Sequence, residues 1–229
     1  MLSIIIPTYN EAENIGILIN YLKKHSSENS VEIIISDGGS IDKTVDVAQE
    51  GGAAAVVSPK KGRAAQMNYG ASLAKGDTLY FVHADAFPPE SFVLDIEDAL
   101  KRGFQIGRYQ TKFDSDKIIL KLNAFFTRFD LFVCYGGDQT LFITTQLFNQ
   151  INGYKEDMLI MEDYDIVRRA RQSGKYKILK KAVLVSARKY ETNSWLTVQN
   201  ANRTIVSMYK KGASQDDMVN KYKEMLVYR

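Results

Sequence analysis

The sequence predicts one α/β domain, residues 1–229, on a mainly parallel central sheet flanked by helices. Three observations carry this reading. Four strand-like runs, starting at Leu2, Val31, Ala53 and Thr78, alternate with helical segments before residue 90. Each run ends in polar, glycine-bearing or charged residues, the pattern of a sheet whose carboxyl edge is open to ligands. With 229 residues, 45% of them hydrophobic, the chain is long enough to bury a full core, and no repeat, low-complexity segment or linker divides it.

Leu2 to Ile6 is an apolar first strand, broken by Pro7, and the segment after Glu11 repeats Ile15, Leu18, Ile19 and Leu22 at helical spacing. Val31 to Ile35 repeats the pattern, ends at Asp37-Gly38-Gly39-Ser40, and leads into a helix from about Lys43 to Glu50. Ala53 to Val57 gives a third strand, Arg63 to Ala74 a third helix, and Thr78 to Val82 a fourth strand closed by Pro88-Pro89. Beyond it the sequence predicts a helix over Glu90 to Arg102, a strand over Gln105 to Phe113 and a helical stretch over Asp116 to Val133. A strand over Thr140 to Thr144 and a short helix to Gly153 follow. An acid-led helix runs from Glu162, two short strands flank Lys180-Lys181, and two closing helices span Ser194 to Lys211 and Ser214 to Tyr228.

The charge balance, 30 basic against 27 acidic residues for a net +3, argues against nucleic acid as a partner and leaves room for a phosphate-bearing small ligand. Cys134 is the single cysteine, so no intrachain disulfide forms and the cytoplasm is the expected compartment. Met1 to Ile6 lacks a basic leader and a cleavage site, so it reads as a strand, not a signal peptide. No run reaches the ~18 apolar residues of a membrane span.

The four strand ends offer Thr8 to Glu11, Asp37 to Ser40, Lys60 to Arg63, and His83 to Asp85. His83 and Asp85 are two apart on an extended segment, so they project to one side and suit a metal ion or a ligand hydroxyl. The alternative is a satisfied core histidine beside a turn-forming aspartate. A dinucleotide fold would place Gly-x-Gly-x-x-Gly after the first strand, where this chain has Pro-Thr-Tyr-Asn-Glu, and no P-loop motif is present. What remains is a nucleoside diphosphate conjugate, with Asp37 for the base, Arg63 for the diphosphate, and His83 and Asp85 beside it.

Pro7-Thr8-Tyr9-Asn10-Glu11, Asp37 through Thr44, His83-Ala84-Asp85 and Glu162-Asp163, in this order, resemble the family-2 glycosyltransferases of the GT-A fold, a Rossmann-like architecture. The resemblance covers roughly residues 2 to 175. More narrowly, Gly62 to Gly70, Gly137-Asp138-Gln139 and Met161-Glu162-Asp163 resemble a small soluble branch related to selenodomain-associated transferases. The resemblance implies an inverting transfer from a nucleotide-sugar donor, usually UDP-linked, to a hydroxyl acceptor of unspecified kind: glycan, lipid or small molecule. Residues 1–115 would form the donor half and 116–229 the acceptor side with closing helices. Asp37 then accepts from the uracil imide beside Gly38, and Pro7, Thr8, Tyr9 and Glu11 cradle base and ribose. Arg63 contacts the nucleotide, Gly137 and Asp138 lie with the donor, and Arg188 clamps the diphosphate. Asp85 corresponds to the metal-bridging carboxylate, with His83 in place of the family's usual aspartate. Imidazole suits Mn²⁺ better than Mg²⁺, and the alternative is that His83 holds the ribose. Asp163 corresponds to the general base and Glu162 orients it or contacts acceptor.

Two rivals remain at this point. A sugar nucleotidyltransferase should carry a glycine- and arginine-rich loop after strand one, which is missing here, and a non-catalytic nucleotide-sugar module should lack the base. In the second half, the apolar spacing within 116–133 suits core packing or a homodimer contact, and its phenylalanines beside Lys117, Lys121 and Arg128 also suit peripheral contact with the inner face of a membrane. Trp195 reads as core more readily than as a sugar-stacking platform.

Overall fold

The computed structural model describes residues 1–26, 30–135 and 140–227. Strands β1 (Leu2–Thr8), β2 (Val31–Asp37), β3 (Ala54–Val57) and β4 (Thr78–Phe81) are linked by helices α1 (Ala12–Lys24), α2 (Thr44–Glu50) and α3 (Arg63–Leu73). They pair in parallel in the order β3-β2-β1-β4, as the alternation requires. Side-chain alternation then sends each strand's residues to two faces. Ile4 and Ile6 meet Ile15, Leu18 and Ile19 of α1 on one face, while Ile5 meets Ala64 and Met67 of α3 on the other. Helix α3 lies close because its sheet-facing residues are small: a Cβ on Gly70 would stand 2.6 Å from Ile5.

The second half makes the sheet mixed. After β5 (Ala86–Phe87) and α4 (Phe92–Lys101) come β6 (Ile106–Phe113), α5 (Ile118–Phe126), β7 (Leu141–Thr144), α6 (Thr145–Gln150), α7 (Glu162–Ala170) and β8 (Tyr176–Val185). The eight strands run β3-β2-β1-β4-β7-β6-β8-β5, with β7 antiparallel to both neighbours. Helices α8 (Lys189–Thr192), α9 (Trp195–Lys210) and α10 (Gln215–Met225) close the chain around Met158, Met161, Ile205 and Met218.

Three expectations are corrected. Lys180-Lys181 does not separate two strands. The register passes from Tyr109 opposite Leu179 to Gln110 opposite Ala182, so the lysines form a bulge within one strand, and Lys181 reaches Asp95 at 2.8 Å. The 116–133 stretch is not one helix. Buried Arg108 donates to the carbonyls of Thr127 (2.7 Å) and Phe129 (3.3 Å), ending α5, and a separate turn of 3₁₀ helix spans Phe132–Cys134. Nor is the 116–133 stretch core throughout: Leu120 is the one fully buried residue of α5, Ala124 and Phe132 pack partly against the core, and the rest of the apolar face is exposed.

Candidate active site

The ends of β1 and β2 are stitched into one surface. Asp37 is fully buried, and its Oδ1 accepts from the backbone of Gly39 (2.8 Å) and Ser40 (2.7 Å). Its Oδ2 accepts from the hydroxyls of Thr8 (2.9 Å) and Ser40 (2.6 Å). Four donors occupy the roughly four acceptor positions a carboxylate has. In this structure the carboxylate is thus the post under the loop, tying Thr8 to Gly39 and Ser40. Gly38, closed over by the Gln66 side chain, donates to Thr8 O at 2.8 Å, and Gln66 Nε2 ties Thr8 O (2.7 Å) to Ser36 O (2.9 Å). Asn10, in the left-handed region at φ 55°, accepts from Ile41 N. Glu11 N donates to Thr44 Oγ1. Pro7 is half-buried and Tyr9 stands out at 58% exposure.

The opening at β4 is built differently from expectation. The strand ends at Phe81, and Ala84-Asp85 form a turn closed by Ala86 N to His83 O at 3.0 Å. The extended-chain argument that set His83 and Asp85 on one side therefore fails; a turn places them. Asp85 O accepts from Ser186 N, which brings the end of β8 alongside. Arg188 then reaches across, with Nη2 at 2.9 Å from Glu11 Oε1 and 3.3 Å from Asp85 Oδ2. One guanidinium joins the first, fourth and last strand ends.

A second cluster centres on Arg63. Gly62 precedes it at φ 112°, a conformation a side chain would strain, and so starts α3 with Arg63 at its amino end. The guanidinium binds Glu162 Oε1 and lies 3.3 Å from Asp163 Oδ2. Both acids open α7, and Met161 before them is left-handed at φ 70°, strain of the kind that gathers at functional sites. Glu162 and Asp165 show how partners set ionisation. Burial raises Glu162, its Oε2 has no hydrogen-bond partner among the described residues, and Asp163 adds to the rise while Arg63 opposes it. Burial also acts to raise Asp165, but hydrogen bonds from Arg169 (2.5 Å) and Arg168 (3.1 Å) outweigh it and hold the carboxyl low.

Arg63 and Asp163 lie on the wall of a cavity of about 790 Å³. Phe126, Trp195, Tyr222 and Asn202 also face it. Trp195 therefore serves the cavity and packs against the core, a placement that helical spacing alone did not reveal. Gly137 and Asp138 lie outside the described residues. Gln66, Ser40 and Thr44 lie within the quoted motifs, but the sequence reading gives them no role; their side chains bind backbone groups far along the chain.

Residues 3–154 match glycosyl transferase family 2, and the chain belongs to that family. A PGL/p-HBAD biosynthesis glycosyltransferase of Mycobacterium bovis is 27% identical over 192 residues, 72% of this chain and 67% of that protein. A dolichol-phosphate mannosyltransferase of Pyrococcus furiosus is 31% identical over 110 residues, 46% of this chain and about a third (31%) of its own length. Among solved structures, Staphylococcus aureus TarS with UDP aligns at TM-score 0.68 and 16% identity, covering 98% of this chain and 70% of that one. Glucosyl-3-phosphoglycerate synthase of Mycobacterium tuberculosis, with Mn²⁺, UDP and glucosyl-3-phosphoglycerate, aligns at 0.63 and 16% identity, covering 93% and 80%. The fold is GT-A, a curled mixed sheet flanked by helices.

Proposed function

We propose that the chain moves a sugar from a UDP-linked donor to an acceptor hydroxyl with inversion, aided by a divalent metal. One observation carries the reading: a cation suited to a diphosphate, Arg63, sits 3.3 Å from a carboxylate suited to a hydroxyl, Asp163, on the wall of one cavity. In this assignment residues 1–115 hold the donor and 116–229 the acceptor. Tyr9, Pro7 and Thr8 form the base and ribose surface that Asp37 and Gly38 support from beneath. Arg188 and Arg63 face the diphosphate from two sides, and Gly137 and Asp138 join by motif.

Asp163 takes the acceptor proton as the hydroxyl attacks the anomeric carbon opposite the leaving diphosphate. Glu162, anchored on Arg63, keeps Arg63 and Asp163 in place. Among the described residues no three His, Cys, Asp or Glu side chains gather into a protein-only metal cage. Asp85 is a partly exposed carboxylate, 31%, that would exchange its Arg188 contact at 3.3 Å for the ion, and His83 lies two residues before it. These residues fit an ion held largely by phosphate oxygens, and the imidazole favours Mn²⁺. Such an ion would neutralise charge on the departing diphosphate. The UDP and Mn²⁺ in the glucosyl-3-phosphoglycerate synthase complex support this reading, and a Pyrobaculum calidifontis mannosyltransferase holds GDP-mannose with Mn²⁺.

Calorimetry with UDP and GDP, with and without Mn²⁺, tests it. UDP should bind more tightly with Mn²⁺, and Asp85→Asn should remove that gain. No nucleotide binding under either condition would overturn the proposal.

A further inference from the structure

Helix α5 has the sequence Ile-Ile-Leu-Lys-Leu-Asn-Ala-Phe-Phe, yet it buries one residue. Ile118 is 84% exposed, Leu122 51%, Phe125 42% and Phe126 46%, and the patch continues through Phe129 and Leu131. A contiguous apolar face of this kind marks an interaction surface. It cannot turn inward, because its carboxyl end is pinned. Arg108 holds Thr127 O and Phe129 O from within, and Asp130 makes two contacts to Arg171, at 2.5 and 2.7 Å.

Charge selects the occupant. Between Lys117 and Phe129 the sequence carries Lys117, Lys121 and Arg128 and no acid; of the flanking acids, Asp116 pairs with Lys121 at 3.2 Å and Asp130 is taken by Arg171, which leaves a cationic excess on this face. The Arg128 guanidinium lies 3.9 Å from the centre of the Phe125 ring, so a cation rides at the edge of the apolar face. A second copy docking face to face would set these cations against their own likeness. Anionic lipid headgroups complement them while the rings enter the acyl boundary.

We propose that α5 and the turn after it dock this protein on an anionic lipid bilayer. Among the described residues no helix is long and apolar enough to cross a membrane, so the contact is peripheral. Asn123, Phe126 and Thr127 of this segment also wall the cavity, which docking would bring to the lipid surface. The proposal does not rest on the donor assignment, since vesicle binding requires no nucleotide.

Co-sedimentation with phosphatidylcholine vesicles, plain or doped with phosphatidylglycerol, tests it. The wild-type chain should sediment with the anionic vesicles and lose that binding in high salt. Leu122→Asp/Phe125→Asp should cut partitioning at least about tenfold, as losing two apolar anchors requires. Lys121→Glu, on an exposed side chain that can hardly affect folding, should weaken binding to anionic vesicles alone. Absence of wild-type sedimentation, or equal sedimentation of all three proteins, would overturn the proposal. So would a dimer on size-exclusion chromatography that the double substitution converts to monomer, which assigns the face to a second copy.

Discussion

The donor edge of the sheet and the α5 side of the molecule place their groups by opposite rules. At the donor edge Asp37 is wholly buried and every oxygen position is taken, so loop shape is fixed before any ligand arrives. Along α5 apolar side chains stand in solvent and the cavity beside them is walled from five or more separate segments. The first region is held rigid by its own hydrogen bonds; the second leaves apolar side chains uncovered by the described chain. Asp163 and Arg63 sit where the two regions meet.

The largest expected effect tests that meeting point. Asp163→Asn should lower transfer by roughly 10²- to 10⁴-fold, the range for losing a general base, with UDP affinity unchanged. Turnover and calorimetric binding on the same samples check it. Wild-type transfer by a folded Asp163→Asn protein would remove Asp163 from the chemistry and break the assignment of the two regions.

Asp37→Ala comes next. If the carboxylate is a post, its loss strands four donors and should lower stability by roughly 3 kcal/mol, with UDP affinity falling as a consequence. Urea denaturation beside calorimetry separates this from direct base contact, where affinity would fall and stability would stay. Gln66→Met should cost less, about 1 to 3 kcal/mol, because it removes one amide that bridges Thr8 O and Ser36 O.

The same contrast explains what was legible. The β1-to-β4 half could be read because strand, loop and helix follow within about 30 residues, and alternation and motif both act at that range. The polar strand ends that the structure gathers along one edge were legible for the same reason. The pairing of β7 antiparallel between β4 and β6 was not legible, since it joins Leu79 to Ile143. Nor was the end of α5, which Arg108 sets from another strand. Asp37 was singled out, but its burial and its four donors were not legible: a buried carboxylate and an exposed one look alike in sequence. Glu162 presented the same problem, since acids in a first helical turn suit the dipole whether or not they are buried.

Glu162 gives the subtlest test. Burial comes first in raising its ionisation above the ordinary 4.5, with Asp163 adding and Arg63 opposing. Between 4.5 and the raised value, the folded chain keeps a proton that the unfolded chain releases. Folding is therefore favoured at the acid end of that window and loses stability as pH rises through it. Asp165 and Glu156 are shifted downward, so the stability they contribute is lost only as pH falls below their ordinary values of 3.8 and 4.5. The windows do not overlap. Denaturation midpoints taken from pH 4.5 upward should thus decline more steeply in wild type than in Glu162→Gln, where no proton can be lost at this position. Any constant offset from changing the Arg63 contact leaves that difference in slope intact. Parallel profiles would mean that Glu162 ionises normally and that the wall between the donor edge and the cavity is wetter than its 1% side-chain exposure implies.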